Sequence, residues 1–263
     1  MSNASPPEPS HQTADTESSA DEFTSMLAKA KEGDTEAQTA VGAMYAEGIG
    51  VEQDFKVAVE WFRSASEKGE ATAQYNLGLA YALGRGVEKS DRDAFEWFRK
   101  AAEQGLAGAQ YTLGRLFQEG KGVEKSMDEA VQWLRRAAVQ GDVMSQFSLG
   151  RIFEEGLGVE KSDREAIKWY RAGAESGHTE SQYYLGLLYV DGEGVESNEE
   201  AAKWFRQAAE QGHAASQVFL GSMYFEGKGV GKDLEAAEKW YRKAAEQGDA
   251  DAKKVLEWLE KKK

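Results

Sequence analysis

Cysteine is absent from all 263 residues, which excludes a disulfide framework and thiolate metal sites. Histidine is scarce: His11 lies near the N-terminus, while His178 and His213 each follow a glycine where a turn is expected. No H-E-x-x-H run occurs, so no zinc pattern, no other metal site and no cofactor site is expected. No apolar run of 18 residues exists, so no membrane-spanning helix is expected. The first residues lack the basic start and apolar core of a secretory signal, so the chain reads as cytoplasmic, or as periplasmic or secreted if a signal segment has been removed. Basic residues are outnumbered, 32 against 46 acidic, for a formal charge of −14. Such a surface repels a phosphate backbone, and no basic stripe with interleaved aromatics offsets it, which argues against nucleic acid. A neutral or basic protein partner fits better. The same charge also keeps a protein soluble and monomeric, and a monomer is expected.

Proline is nearly missing as well, with Pro6, Pro7 and Pro9 the three present, whereas glycine is abundant at 28. That combination is odd for an ordinary globular domain. Its explanation is repetition. Trp61, Trp97, Trp133, Trp169, Trp204 and Trp240 recur at intervals of 36, 36, 36, 35 and 36 residues, the mark of tandem supersecondary units. In the second copy the recurring residues are Ala73-Gln74, Leu77-Gly78, Tyr81, Gly84-Arg85-Gly86-Val87, Ser90, Ala94, Trp97, Ala101-Ala102 and Gly105. Two segments of each unit carry apolar or small residues at i, i+3, i+4 and i+7, which is helical spacing. The Gly-x-Gly loop closes one gap and a lone glycine the other, so each unit is an antiparallel helix pair.

Local signals agree. Ser90 with Asp93, Ser126 with Glu129, Ser162 with Glu165 and Ser197 with Glu200 are spaced as capping boxes, in which hydroxyl and carboxylate each bond an orphan N–H. Asp54 and Asp233 are placed to cap alone. The six Gly-x-Gly elements are turn formers, since a phosphate loop follows a strand and these link helices. In the fifth copy one residue is missing between Val195 and Ala201, and Gly173 stands where other copies have alanine; either is a candidate local bend.

The run Ala-x-x-Gln-x-x-Leu-Gly-x-x-Tyr, then Gly-x-Gly-Val, then Ala-x-x-Trp-Phe/Tyr-Arg-x-Ala-Ala-x-x-Gly resembles the Sel1-like repeat, a relative of the tetratricopeptide repeat. The resemblance implies an all-α superhelix, or solenoid, of six helix-turn-helix repeats over 34–69, 70–105, 106–141, 142–177, 178–212 and 213–248. It also implies first helices lining a concave face, and adaptor or scaffold roles. The chain departs from the cysteine-rich branch of that family. It also lacks an S-x-x-K serine nucleophile, and no catalytic residue is expected. Residues 1–22, rich in Ser, Thr, Glu and Asp, read as a disordered acidic tail. Residues 23–33 read as an N-terminal capping helix and 249–263 as a C-terminal one, with Ala252, Leu256 and Leu259 in core register. Capping units of this kind keep a solenoid soluble.

Positions that read alike in every copy serve the repeat. Gln38, Gln74, Gln110, Gln146, Gln182 and Gln217 are therefore assigned to scaffolding, bonding a neighbouring loop backbone. The positions one, five, eight and nine after each glutamine vary and share one helical face, the concave one by the resemblance. The candidate partner-binding residues lie there. They are Tyr75 and Leu79 in the second copy, Tyr111, Arg115 and Gln118 in the third, and Phe147, Arg151 and Glu154 in the fourth. Tyr183 and Leu187 follow in the fifth, then Ser222 and Phe225 in the sixth. Tyr, Phe and Arg dominate interface hot spots, so the face reads as a groove for an extended or helical peptide. Two alternatives stay open. Arg115 and Arg151 either clamp a partner carboxylate or pair with Glu119 and Glu155 at i,i+4, and the aromatic stripe either faces the groove or fills the seam between units, an ambiguity that Tyr184 and Phe219 share. The function expected is a non-enzymatic adaptor or scaffold; the alternative is a dedicated regulator that sequesters one partner, such as an immunity-type protein or an inhibitor of a signalling protein or effector.

Overall fold

The computed structural model describes residues 11–192 and 196–261, with side chains from residue 18 onward. Among the described residues there are fourteen helices and no strand. The fold is all-α and of the αα-solenoid class. After α1 (His11–Glu32), six helix pairs follow: α2 (Thr35–Glu47) with α3 (Phe55–Glu67), α4 (Ala71–Leu83) with α5 (Asp91–Glu103), α6 (Ala107–Glu119) with α7 (Met127–Val139), α8 (Val143–Glu155) with α9 (Asp163–Glu175), α10 (Thr179–Asp191) with α11 (Asn198–Glu210), and α12 (Ala214–Glu226) with α13 (Leu234–Glu246). The last helix is α14 (Ala250–Glu260). The chain divides into two compact units between Arg136 and Ala137, inside α7.

Three devices recur through the pairs. The first helix ends on a left-handed glycine, as at Gly84, φ +68°, whose N–H bonds the Ala80 carbonyl; a residue with a Cβ enters that region only at a cost. The second helix starts on an oxygen cap: Ser90, Ser162 and Ser197 accept from the amides of Asp93, Glu165 and Glu200, while Asp54 and Asp233 each accept from two. The carboxylate half of the expected capping box is not made. The cap's own N–H instead donates across the hairpin to the first helix, from Ser90 to the Tyr81 carbonyl at 3.0 Å and from Ser162 to that of Phe153 at 2.9 Å. Third, the glycine after the core leucine is a socket: a Cβ on Gly78 would stand 2.8 Å from the Phe98 ring, and Gly186 faces Phe205 in the same way.

The invariant glutamines are buried and tie one pair to the next. Nε2 of Gln74 donates to the Ser66 carbonyl at 3.3 Å, that of Gln182 to Ala174 at 3.1 Å and that of Gln217 to Ala209 at 3.1 Å. The acceptors sit in the last turn of the preceding helix, not in a loop; lying past the end of the i→i+4 ladder, each also accepts from the glycine amide three residues on. The amide oxygen in turn accepts from Gln104, Gln211 and Gln247. The fourth pair breaks this relay, because Ser176 occupies the donor position and bonds Ala172 instead, leaving Oε1 of Gln146 buried without a partner. Ser176→Gln is expected to stabilise the chain by about 1 kcal/mol, the net worth of a buried hydrogen bond, read as a higher urea midpoint at constant slope.

The termini use repeat positions differently. A Cβ on Gly50 would strike the Ser19 carbonyl as one on Gly86 would strike that of Phe55, so α1 from Ser19 onward stands where a second helix would. The expected capping helix over 23–33 is thus the C-terminal part of a longer helix. Residues 11–22 of the expected tail belong to α1, where Ala14, Glu17 and Ala20 are good helix formers and no proline follows Pro9; residues 1–10 lie outside those described. At the other end Asp249 caps α14, and Ala252 is buried with Val255, Leu256 and Leu259 packed around the Tyr241 cluster. Lys253 and Glu257 hold the glutamine and glycine positions there, so α14 offers no socket for a further ring. Residues 262 and 263 are outside the description.

Neither candidate bend interrupts a helix. α9 runs unbroken through Gly173, whose missing Cβ leaves room for the Ser181 hydroxyl. The shorter fifth loop shows in its cap: Gly192 is extended, φ −72°, unlike the left-handed Gly156 and Gly227. Residues 193–195 of that loop lie outside those described.

Candidate interaction face

The candidate face is carried by α4 and α6 in the first unit. Tyr75 is half-buried and its ring meets Phe98 at 5.4 Å, so it serves the seam and the surface at once. Leu79 and the exposed Leu83 line a cavity of about 230 Å³ floored by Val59 and Phe62, with Glu47 and Arg85 at its rim. Tyr111 and Gln118 are half-buried. Arg115 is half-exposed and ion-paired with Glu119 on its own helix; hydrogen bonds to Glu119 and Tyr111 hold its guanidinium above the ordinary value.

In the second unit, α8, α10 and α12 carry a continuous run of rings. Phe147 meets Tyr170 at 5.8 Å and Tyr184 at 5.6 Å. Tyr184 meets Tyr183 at 5.4 Å, and Tyr183 meets Phe219 at 6.1 Å. Phe219 stacks on Phe205 at 4.9 Å, 11° from parallel. Edge and offset contacts at these distances are the favoured aromatic geometries. Phe147, Tyr183, Tyr184 and Phe219 are each half-buried, so they fill the seam between neighbouring first helices while leaving ring surface outside. Tyr184 and Phe219, one position round from the stripe, belong to this run as fully as the stripe does.

Polar groups on this face are mostly spoken for. The Tyr170 phenol donates to Glu154 at 2.6 Å; burial and that carboxylate together push its pKa far up, so it stays neutral and donating. Burial also raises Tyr183. Arg151 pairs with Glu155 and lies 5.3 Å from the Tyr184 ring centre; burial pulls its guanidinium down, but Glu155 together with Tyr184 and Tyr170 holds it above the ordinary value. Both arginines therefore form the i,i+4 pairs. The Ser222 hydroxyl lies 2.9 Å from that of Tyr241. Leu187 lines a cavity with Glu154 and Asp191, and Phe225 meets the half-exposed Trp258 at 5.8 Å. The surface is thus made of rings, aliphatic area and carboxylates. Among the described residues no group of three metal-ligating side chains stands together.

Two residues read as turn formers do more. Nδ1 of His178 accepts from the Ser181 amide, and that of His213 from the Ser216 amide, so both imidazoles are helix N-caps. The Ser181 and Ser216 hydroxyls sit 2.8 and 2.9 Å from the same nitrogens. The signal available in the sequence was their position, which Asp34, Asp142 and Asp249 fill as N-caps in other copies.

Helix pairs repeated in tandem, locked by buried glutamines and presenting half-buried rings along their first helices, define an αα-repeat protein of the interaction type. The Sel1 repeat model matches residues 35–70, 71–106, 107–142, 143–178, 179–213 and 214–249, and the chain belongs to the Sel1 repeat family, one of protein-interaction scaffolds. Among solved structures, it is similar to a protective antigen of uropathogenic Escherichia coli strains displaying an SLR fold, with 36% identity over 91% of this chain and a TM-score of 0.83. The chain spans 52% of that protein's length. A Sel1 repeat protein from Oxalobacter formigenes is 34% identical over 89% of this chain and 68% of its own, with a TM-score of 0.73. No curated protein matches. Among the described residues no helix is long and apolar enough to cross a membrane.

Proposed function

We propose that the chain is a non-enzymatic adaptor that binds a protein or peptide segment on the face of its first helices. The observation that carries this reading is the run of half-buried rings on α8, α10 and α12. Rings held by their neighbours offer large contact area at little further entropic cost on binding. The net charge of −14 and the carboxylates of Glu154, Asp191 and Glu226 favour a neutral or basic segment. Arg115 and Arg151 enter as ion pairs, so a partner carboxylate would have to displace Glu119 or Glu155.

Capture from the native extract with the wild-type chain, and with Arg115→Glu, Arg151→Glu and Leu187→Glu, tests the reading. At least one specific protein is expected to be lost with the face variants and kept with Arg92→Glu on α5. Several such proteins make the chain an adaptor, and a single stoichiometric one a dedicated regulator. An identical captured set for all four variants would remove the face from the account.

A further inference from the structure

The two histidine caps lie in adjacent repeats of the second unit, at the start of α10 and of α12. The first helices α2, α8 and α14 are capped by Asp34, Asp142 and Asp249, and α4 by Glu70. A carboxylate cap keeps its acceptor oxygens throughout the neutral and mildly acidic range. An imidazole does not. To accept from a backbone N–H, Nδ1 must carry no proton, which fixes the ring as neutral with its hydrogen on Nε2. Protonation puts a hydrogen on the accepting nitrogen, orphans the Ser181 or Ser216 amide, and places a positive charge on the positive end of a helix dipole. All three consequences oppose the native arrangement.

The same rings are wedged into the aromatic run. His178 meets Phe147 of α8 edge-on at 5.3 Å, and His213 meets Tyr183 of α10 at 4.7 Å. A cap that lets go therefore disturbs the rings that form the face, and it does so at two consecutive junctions. Among the described residues, Glu180 is the carboxylate recorded against both imidazoles: its carboxylate is 3.5 Å from Nε2 of His178, and its field opposes the effect of burial at His213. Burial wins at His213, whose pKa is held below the ordinary value. The other groups against the rings are neutral, namely Phe147, the Tyr183 phenol and the two serine hydroxyls.

We infer that His178 and His213 make the ring-bearing face of the second unit acid-sensitive, their protonation uncapping α10 and α12 and loosening the junctions α8 to α10 and α10 to α12. That this face recognises a partner rests on the function proposed above; the uncapping does not. The direction follows from linkage. At His213, whose folded pKa lies below its unfolded value of about 6.5, the cap contributes stability that is complete above that value and is lost as pH falls through the folded one; at His178 the inference stands on the cap geometry alone.

The test uses the full chain without any partner, comparing pH 7.5 with pH 5.5, a window in which most carboxylates remain ionised. Amide exchange, corrected for its intrinsic pH dependence, is followed at Ser181 and Ser216 against Ser145, whose amide is capped by Asp142 in the same D-x-x-S setting. Relative to Ser145, protection of Ser216 is expected to fall by up to about tenfold at the lower pH, tenfold being about 1.4 kcal/mol, near the worth of one cap, and protection of Ser181 is expected to fall in the same direction. His178→Asp with His213→Asp, which copies the α8 cap, should abolish the difference. Unchanged relative protection in the wild type, or an equal fall in the double variant, would overturn the inference. Partner affinity measured at both pH values tests the recognition reading separately: weaker binding at pH 5.5 in the wild type alone joins the two, while equal binding in the presence of the exchange change sinks only the recognition reading.

Discussion

Replacing Trp204 by alanine is expected to lower folding stability by about 3–5 kcal/mol. Trp204 is 4% exposed in the middle of α11, and deleting its indole removes the largest side chain of that helix from a packed seam. A domain of ordinary stability has only about 5–15 kcal/mol to lose, so this one change removes a large fraction of it. The indole N–H is buried without a partner, which makes a second variant informative. Trp204→Phe forfeits no hydrogen bond and relieves an unsatisfied donor, so it should cost less than about 2 kcal/mol, within the range of near-isosteric swaps plus a small cavity. Urea denaturation followed by circular dichroism reads both. A loss below about 1.5 kcal/mol for Trp204→Ala would mean that the seam closes around the gap, and the tryptophan period would then mark something other than packing. Because repeats of this kind lean only on their neighbours, exchange protection should fall first in α10, α11 and α12.

That period was the most legible feature of the sequence, because the rules that produce it are local. Helical spacing, a serine or aspartate at the start of each second helix and a left-handed glycine at the end of a first one depend on residues within a turn of one another, and all are in place except at Gly192, where the loop is one residue shorter. Features that depend on where a second segment lands were not legible. Ser90 and Ser162 were spaced for a reciprocal capping box, but the hairpin brings the Tyr81 and Phe153 carbonyls to the cap amides first. The scaffolding role of the glutamines followed from their repetition; that their acceptors are helix-end carbonyls eight residues back did not. The N-terminal extension of α1 carries no tryptophan and no Gly-x-Gly, so no period announced it.

The candidate face divides along the same line. Placing Tyr75, Phe147 and Tyr183 on one helical face needed only the period of the helix. Deciding whether their rings point into the seam or out of it needed the neighbouring helix, and the rings turn out to do both. Arg115 and Arg151 were spaced for their glutamates and found them. His178 and His213 looked like departures from an aspartate-rich turn position, yet each imidazole accepts the backbone amide three residues on, as the aspartates do, and so preserves the cap.

Gly86→Ala is expected to cost about 2–4 kcal/mol, although it adds a single methyl group to a loop at the surface of the repeat. Gly86 has φ +74°, where an alanine is penalised by about 1–2 kcal/mol. The larger problem is space. Its Cβ would fall on the Phe55 carbonyl oxygen and close to the Lys56 amide nitrogen, and these are backbone atoms at the start of α3 that cannot rotate away. Forcing them apart costs about 1–3 kcal/mol more and pries the loop of one repeat off the second helix of the repeat before it. Gly69→Ala separates the two contributions: Gly69 has φ +92° but nothing within 4 Å of its Cβ position, so it should lose only the conformational part. If urea midpoints show the two alanine variants to be equal, the second glycine of Gly-x-Gly serves the turn alone. A larger loss at Gly86 assigns it to the contact between neighbouring repeats, explaining why the pattern needs two glycines where a helix C-cap needs one.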